Sequence, residues 1–202
     1  RTPLRWIGGG IVAAAMLWAL AAPQPDILVA GDGRAVAVRG KDGRLRLMRS
    51  GHDAFQARAW LAADADLRAP DDASLSEGVS CDASGCVVPA VDGWLVALAL
   101  AADAFADDCT RAAIIVTARQ TPADCAATVF DQEGLRGQGA LALHRSGDGY
   151  AVTATRPRGT DRPWARGIAE DAGAAETAPR RSPRPLRAID ATPAEADLQA
   201  DD

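Results

Sequence analysis

Residues 27–49 read ILVAGDGRAVAVRGKDGRLRLMR, in which two Asp-Gly pairs separate three apolar or alternating stretches. Asp-Gly is the preferred dipeptide of type I′ hairpin turns because both of its positions tolerate positive φ. In the second and third stretches Val36, Val38, Leu45 and Leu47 alternate with arginines, which predicts one buried face. The sequence therefore predicts strands at 27–30, 35–39 and 45–49 that are joined by tight turns.

The same pattern continues through the rest of the chain, where Asp-Gly recurs at 92–93 and 148–149. Helices are also expected: residues 55–63 predict a short helix with Phe55, Ala59 and Trp60 on one face, and a helical turn is expected at 103–109. Helices among strands predict an α+β or layered α/β domain rather than a pure barrel. The further strands are predicted at 85–89 and 94–100, which form a hairpin, at the buried stretch 112–117, and at 128–131, 140–144 and 150–155.

An apolar stretch precedes these strands, because residues 6–22 carry no charge. As a helix they extend about 25 Å, close to the thickness of about 30 Å of a hydrocarbon core. We expect a transmembrane segment over 1–24, with a buried core helix and a cleaved signal peptide as the alternatives. Arg1 and Arg5 precede the stretch, and the positive-inside rule then places the remainder outside the cytoplasm.

Composition indicates one modest domain over 25–164, of the usual size for a single domain. The tail at 165–202 mixes alanine, proline, arginine and acids without an apolar period, which predicts disorder. The net charge of −5 is mild, and the dense basic residues all lie in the first hairpin region. On a two-stranded ribbon these side chains could contact phosphate, and a solvated hairpin face is the alternative. They are Arg34, Arg39, Lys41, Arg44, Arg46 and Arg49.

Four cysteines form an even set in a region expected outside the cytoplasm, which favours two disulfides. The most economical pairing joins Cys81 to Cys86 and Cys109 to Cys125. Cys-Asp-Ala-Ser-Gly-Cys has a turn-forming centre, so its two cysteines can face each other across a hairpin. A zinc site is the alternative, although these spacings differ from the usual two-residue knuckle.

The chain carries few residues of the kinds that catalysis uses. Its histidines, His52 and His144, are far apart, and no H-x-H-x-D-H, H-E-x-x-H, G-x-S-x-G or Walker-type motif occurs. Asp107 and Asp108 are adjacent carboxylates that we expect to cap or solvate a helix end rather than share a proton. The inventory indicates no catalytic residue, no metal site and no cofactor.

The order of the segments resembles the C-terminal extracytoplasmic region of the ComEC family of competence proteins, in its alphaproteobacterial form. The likeness covers about 25–164 and is carried by a series of stretches rather than by one signature. These are ILVAGDGRAVAVRGKDGRLRLMRSG, FQARAWLAADAD, CDASGCVV, DDCTRAAIIVTARQTPADC, VFDQEGL, GALAL and RPW.

The resemblance implies a role in passing a DNA strand across the inner membrane during natural transformation. It also implies that residues 6–22 are the last span of a longer channel, with everything after residue 23 in the periplasm. Many members carry here a metallo-β-lactamase-like domain that is proposed to degrade the other strand, so the implied fold is a degenerate form of that one. The H-x-H-x-D-H motif is missing after Gly51, and Thr-Ala-Arg-Gln follows Val116 where a histidine pair is expected.

Two hypotheses result. In the first, the chain is a non-catalytic periplasmic domain of a DNA-uptake channel, with the membrane and, through the channel, DNA as partners; partners among other competence proteins are not identified. In the second, it is a metal-dependent hydrolase that uses Asp32, Asp42, Asp107 or the cysteines as ligands. An unrelated signal-anchored envelope protein is the interpretation that remains if the resemblance is accidental.

Overall fold

The computed structural model describes residues 4–21, 23–51, 54–147 and 149–157. Within them the chain forms four α-helices, one short 3₁₀ helix and ten strands. The helices are α1 (Leu4–Ala21), α2 (Phe55–Ala63), α3 (Ala104–Arg111) and α4 (Gln132–Gln138), and the 3₁₀ helix is Ala73–Ser76. The strands are β1 (Ile27–Val29), β2 (Ala35–Arg39), β3 (Leu45–Arg49), β4 (Ser80–Cys81), β5 (Gly85–Pro89), β6 (Leu95–Ala99), β7 (Ile114–Thr117), β8 (Thr128–Phe130), β9 (Leu141–Ser146) and β10 (Gly149–Ala154).

The strands form two five-stranded sheets. The first sheet has the order β10-β9-β1-β2-β3 and is antiparallel throughout. The second sheet has the order β4-β5-β6-β7-β8, with β6, β7 and β8 parallel to one another. A parallel pair needs a crossover, and α3 supplies it between β6 and β7.

The two sheets face each other across the main core, to which β1 and β2 contribute Val29 and Val36 and β6 contributes Val96 and Leu98. A second apolar cluster lies between the first sheet and α2, and a third lies between the second sheet and α3. Because both outer faces carry a helix, the domain has four layers, helix-sheet-sheet-helix. The expectation of an α+β layered domain is confirmed.

The first hairpin does not have the single buried face that its alternation predicted. Val36 lies opposite Met48 and faces the second sheet, whereas Ala37 lies opposite Leu47 and faces α2. Leu45 also belongs to the cluster beneath α2. The prediction of one shared face was wrong because the valines and the leucines belong to opposite faces, and the layered fold covers both of them.

Helix α2 begins and ends where the sequence predicted, but it turns a different face to the sheet. Its buried residues are Ala57, Trp60 and Leu61, whereas the side chain of Phe55 is 74% exposed and Ala59 is also exposed. Leu61 is buried where the sequence predicted that Phe55 would be, so the predicted buried face of α2 was correct for Trp60 alone.

The Asp-Gly pairs at 32–33, 42–43 and 92–93 mark turns as expected, but the turns are of another type. Gly43 has φ of +77°, and Ala65 is the one non-glycine residue with positive φ in the described part of the chain, so Asp42 does not adopt the type I′ conformation. Instead the Gly43 N–H donates to the carbonyl of Gly40 (3.0 Å), and the Gly40 N–H donates to the carbonyl of Arg44 (2.8 Å). This is the three-residue hairpin loop, a type I turn followed by a left-handed glycine.

Other predicted elements lie within two residues of their expected ends, and three elements were not predicted: the 3₁₀ helix Ala73–Ser76, β4 and α4. β4 was missed because it has only two residues, and α4 was missed because QEGLRGQ carries a single large apolar residue. Asp131 caps α4 by accepting the Gly134 N–H (3.0 Å), and this cap stabilises a helix that has little apolar surface.

The sequence predicted a transmembrane segment over 1–24, of which the structure describes residues 4–21 and 23–24. Helix α1 has 18 residues, which corresponds to about 27 Å, and contains three consecutive glycines. Among the helices that the structure describes, none combines the length and the apolar character that crossing a bilayer requires. His52, Asp148 and the tail over 165–202 lie outside the described residues.

Candidate site at the carboxyl edge of the second sheet

Three parallel strands of the second sheet end at one edge of the domain, and we call it the carboxyl edge. The strands β6, β7 and β8 end there at Ala99, Thr117 and Phe130. In layered α/β folds, ligands bind beyond the carboxyl ends of parallel strands, because the loops that follow the strands converge there. A ligand site is therefore expected among the loops at this edge.

The β1–β2 turn of the other sheet packs directly against this edge. Gly33 has φ of +68°, and a Cβ atom at this position would lie 2.5 Å from the carbonyl oxygen of Thr117. Real side chains do not approach a backbone oxygen so closely, so glycine is required on both counts. The contact places Arg34, the next residue, beside the loop that follows β7.

Arg119 lies in that loop and is held at its base. Its Nε–H donates to the carbonyl of Leu100 (2.8 Å), and its backbone N–H donates to the hydroxyl of Thr117 (3.2 Å). The buried Thr117 hydroxyl in turn donates to the carbonyl of Ala99 (2.9 Å). The Arg119 side chain is exposed, so its guanidinium, which is held through Nε, faces solvent at the ends of the parallel strands.

Arg49 reaches the same edge from the end of β3. It lies opposite Ala35 in the register, and the next N–H, from Ser50, donates to the carbonyl of Arg34 (2.9 Å). The nearby carboxylates are used locally, since Asp32 accepts the backbone N–H of Arg34 (3.0 Å) and Asp131 caps α4. The edge therefore gathers arginines from three separate chain segments.

The other basic residues of the first hairpin lie at the opposite end of the strands. Lys41 and Arg44 flank the β2–β3 turn, and five strand residues separate this turn from the carboxyl edge, about 16 Å. The side chain of Arg46 is mostly buried and pairs with Asp42 at 3.1 Å and with Glu77 at 3.8 Å. The six basic residues of the first hairpin region therefore do not form one surface.

Arg39 is an internal residue rather than a surface cation. Its guanidinium donates to both oxygens of Asp64, at 2.6 and 3.1 Å, and also to the carbonyls of Pro25 (3.0 Å) and Gly43 (2.7 Å). The side chains of Arg39 and Asp64 are 10% and 12% exposed. With its donors used by these partners, Arg39 ties the first hairpin to the end of α2.

A shallow groove of ≈ 630 Å³ lies near the β2–β3 turn, between that turn and the loop after α2. Its main charged pair is internal: Arg68 donates to Asp66 at 2.6 Å and also to the carbonyl of Leu45 (2.9 Å). The hydrogen bonds from Arg68 hold the pKa of Asp66 below its ordinary value. Because this carboxylate and this guanidinium neutralise each other, the groove presents less charge than its composition suggests.

The structure confirms the expected cysteine pairing. Cys81 and Cys86 lie opposite each other on β4 and β5, with Cα atoms 4.1 Å apart, and are bonded. Cys109 on α3 is bonded to Cys125 in the loop before β8. None of the four is a free thiol, so the zinc alternative does not hold for these residues.

The remaining ligand candidates are dispersed. Asp32 lies at the carboxyl edge, Asp42 lies in the β2–β3 turn, and Asp107 lies on α3. Within the described ranges no group of three or more His, Cys, Asp or Glu side chains is placed to hold a metal ion. The carboxylates of the hydrolase hypothesis therefore do not converge on one ion.

Asp107 and Asp108 are consecutive on α3, and consecutive helical residues do not face each other. Partial burial raises the pKa of Asp108, and the neighbouring carboxylates of Asp82 and Asp107 raise it further. His144 lies on β9, and its Nδ1 atom is buried without a hydrogen-bond partner among the described residues. His144 and the two aspartates lie on different elements, so these three groups do not form a nucleophile and base pair.

No protein-family model, curated protein or solved structure matches the chain. The geometry of the carboxyl edge is therefore the main physical basis for assigning a function.

The sequence pattern predicted Arg34 and Arg49 as candidate contacts but did not identify Arg119 as their neighbour. A signal for Arg119 was present, because it follows the buried run that ends at Thr117 by two residues. What the sequence does not show is that the β1–β2 turn of the other sheet packs against this loop.

Proposed function

We propose that the chain is a periplasmic domain of a ComEC-family DNA-uptake protein and that it contacts DNA without cleaving it. The proposed contact surface is the carboxyl edge, where Arg34 and Arg119 meet phosphate oxygens of the DNA backbone. The observation that carries the proposal is the position of Arg119: an anchored guanidinium stands at the strand end where the resembled family is expected to carry histidine ligands.

The disulfides support the periplasmic part of the proposal. Disulfides persist in oxidising compartments such as the bacterial periplasm and are rare in the cytosol. Both bonds lie in the second sheet and its crossover, one at β4–β5 and the other between α3 and the loop before β8. They therefore brace the sheet whose strand ends form the carboxyl edge.

The four-layer arrangement supports the fold that the resemblance implies. Two facing sheets with α2 and α3 on their outer faces have the layer order of a metallo-β-lactamase-like domain, and we propose that the fold is a degenerate form of it. At the edge that the proposal makes functional, the anchored side chain is an arginine. Arginine recognises phosphate through planar paired donors and is a poor metal ligand.

We also propose that the chain is held at the inner membrane. Helix α1 exposes Ile11, Met16 and Trp18 to the surroundings, each more than half exposed. A surface of this kind favours contact with lipid or with other apolar helices. Such contacts would place the domain beside the channel that delivers DNA.

The test is DNA binding by the full chain in mild detergent, measured by fluorescence anisotropy with a labelled single strand at several salt concentrations. Arg34→Glu with Arg119→Glu is expected to reduce the affinity and to lower the salt slope by about 1 to 2, because two phosphate contacts are lost. The matched control is Lys41→Glu with Arg44→Glu, which makes the same charge change at the opposite end.

An equal loss of DNA affinity in the two double variants would overturn the assignment of the carboxyl edge as the contact surface, because a general charge effect acts at either end. A DNase assay with added Mn²⁺ or Zn²⁺ separates the proposal from the hydrolase hypothesis. Metal-dependent cleavage by the purified chain would contradict the non-catalytic role.

A further inference from the structure

The two sheets end in four edge strands, and these edges differ in how they are protected. An unprotected edge presents unpaired N–H and C=O groups and pairs readily with another strand. In the second sheet the edges are short: β4 has two residues and is fastened to β5 by a disulfide, and β8 has three. Neither offers a long row of backbone groups.

In the first sheet, the edge strand β3 has five residues but is covered. The 3₁₀ helix Ala73–Ser76 packs beside it, and the Arg68 guanidinium donates to the carbonyl of Leu45 at 2.9 Å. An added element and an added donor therefore protect this edge. The fourth edge strand is β10.

Strand β10 has six residues and carries no charged side chain and no proline from Gly149 to Ala154. It pairs with β9 on one side, and no strand pairs with its other side among the described residues. The Thr155 N–H donates to the carbonyl of Ala140 (2.9 Å). Because alternate residues of an antiparallel strand direct their N–H and C=O groups to opposite sides, this bond shows which residues of β10 face β9. The N–H and C=O groups of Tyr150, Val152 and Ala154 therefore point away from β9.

The middle of this open edge is also apolar and held in place. Val152 is 45% exposed and lies near its centre. Tyr150 anchors one end, because its hydroxyl donates to Asp92 of the other sheet at 2.9 Å and its ring packs edge-on against Trp94 with centroids 5.8 Å apart. The edge is thus a fixed template rather than a loose segment.

We propose that β10 is an interaction edge and that its partner is the β10 strand of a second copy of this chain. The strand is self-complementary in the antiparallel sense. A two-fold axis at Val152 places Val152 opposite its copy, Tyr150 opposite Ala154 and Ala151 opposite Thr153. A large residue then meets a small one at each end, no like charges are opposed, and the first sheets of the two copies join into one continuous sheet.

The backbone geometry fits the same axis. The outward-pointing residues Tyr150, Val152 and Ala154 become the hydrogen-bonded pairs, and three such pairs exchange about six hydrogen bonds. The interface is isologous, as is usual in homodimers. It is independent of the proposed DNA contact, so either proposal can fail without the other.

The first test is crosslinking of the full chain in mild detergent. Val152→Cys adds the only free thiol to the described residues, and the hydrogen-bonded pair places the two Cα atoms about 5.5 Å apart, within disulfide range. The control is Leu67→Cys, at a fully exposed leucine outside β10. We expect V152C to form a covalent dimer on the order of tenfold faster than L67C; equal rates would overturn the proposal.

The second test removes the interface. Val152→Lys opposes two like charges across the axis, and we expect the dimer dissociation constant in analytical ultracentrifugation to rise on the order of tenfold. Leu67→Lys makes the same change elsewhere and is expected to leave the constant unchanged. A chain that stays monomeric at all concentrations, or a dimer that V152K does not weaken, would overturn the proposal, whether β10 then binds another protein or nothing.

Discussion

The buried pair between Arg39 and Asp64 allows a sharp test of the fold, because the sequence pattern predicted a phosphate contact for Arg39 and the structure makes it internal. Arg39→Met removes the cation and leaves the Asp64 carboxylate buried without a charged partner. It also removes the donors to the carbonyls of Pro25 and Gly43.

Breaking a buried pair by removing one partner costs about 3 to 5 kcal/mol, because the remaining charge stays desolvated. We expect Arg39→Met to lower the free energy of unfolding by about 3 kcal/mol, near the low end of that range, since the pair keeps some solvent contact. Replacing both residues, as Arg39→Met with Asp64→Leu, should recover most of this loss, since no unpaired charge then remains.

The assay is urea unfolding of the full chain in mild detergent, followed by tryptophan fluorescence, with the four variants of a double-mutant cycle. Arg34→Met is the control, because it makes the same substitution at a side chain that is exposed to solvent. A loss below about 1 kcal/mol for Arg39→Met, the range of an exposed pair, would refute the reasoning.

Three other substitutions test separate parts of the domain. Replacing both cysteines of the Cys109–Cys125 disulfide by alanine should lower the free energy of unfolding by about 1 kcal/mol more than the same replacement at Cys81–Cys86, because the Cys109–Cys125 disulfide closes the longer loop. Equal losses of this free energy in urea unfolding would argue against the loop-entropy account. Asp108→Asn should stabilise the protein at neutral pH, because burial raises the pKa of Asp108 and so makes its ionised form unfavourable in the folded state. The gain should shrink as the pH falls and Asp108 becomes protonated, and a gain that persists at low pH would contradict this. Gly33→Ala should cost about 2 kcal/mol or more, whereas Gly43→Ala, which has open space around it, should cost about 1 kcal/mol; similar melting temperatures would speak against the contact with Thr117.

The positions of the turns and strands could be predicted because their signals are local. Gly43 and Gly93 both adopt positive φ at the turns that Asp-Gly pairs mark. The pairing of Cys81 with Cys86 was also predictable, since a short turn brings the two strands together. Each of these inferences depends on a few consecutive residues.

The burial of the first hairpin and the candidate site could not be predicted in the same way. Whether Arg39 meets solvent depends on Asp64, which lies 25 residues further along the chain. The proximity of Arg34 and Arg119 depends on the packing of one sheet against the other.

Local sequence is thus enough to specify where this chain turns, which stretches extend as strands, and which cysteines lie close enough to pair. Tertiary packing specifies which face of each strand is covered, which arginines remain at the surface, and that β10 has no strand partner on its outer side among the described residues. Local sequence and tertiary packing specify different features because turn conformations depend on neighbouring residues, whereas burial and charge pairing depend on which distant segments pack together.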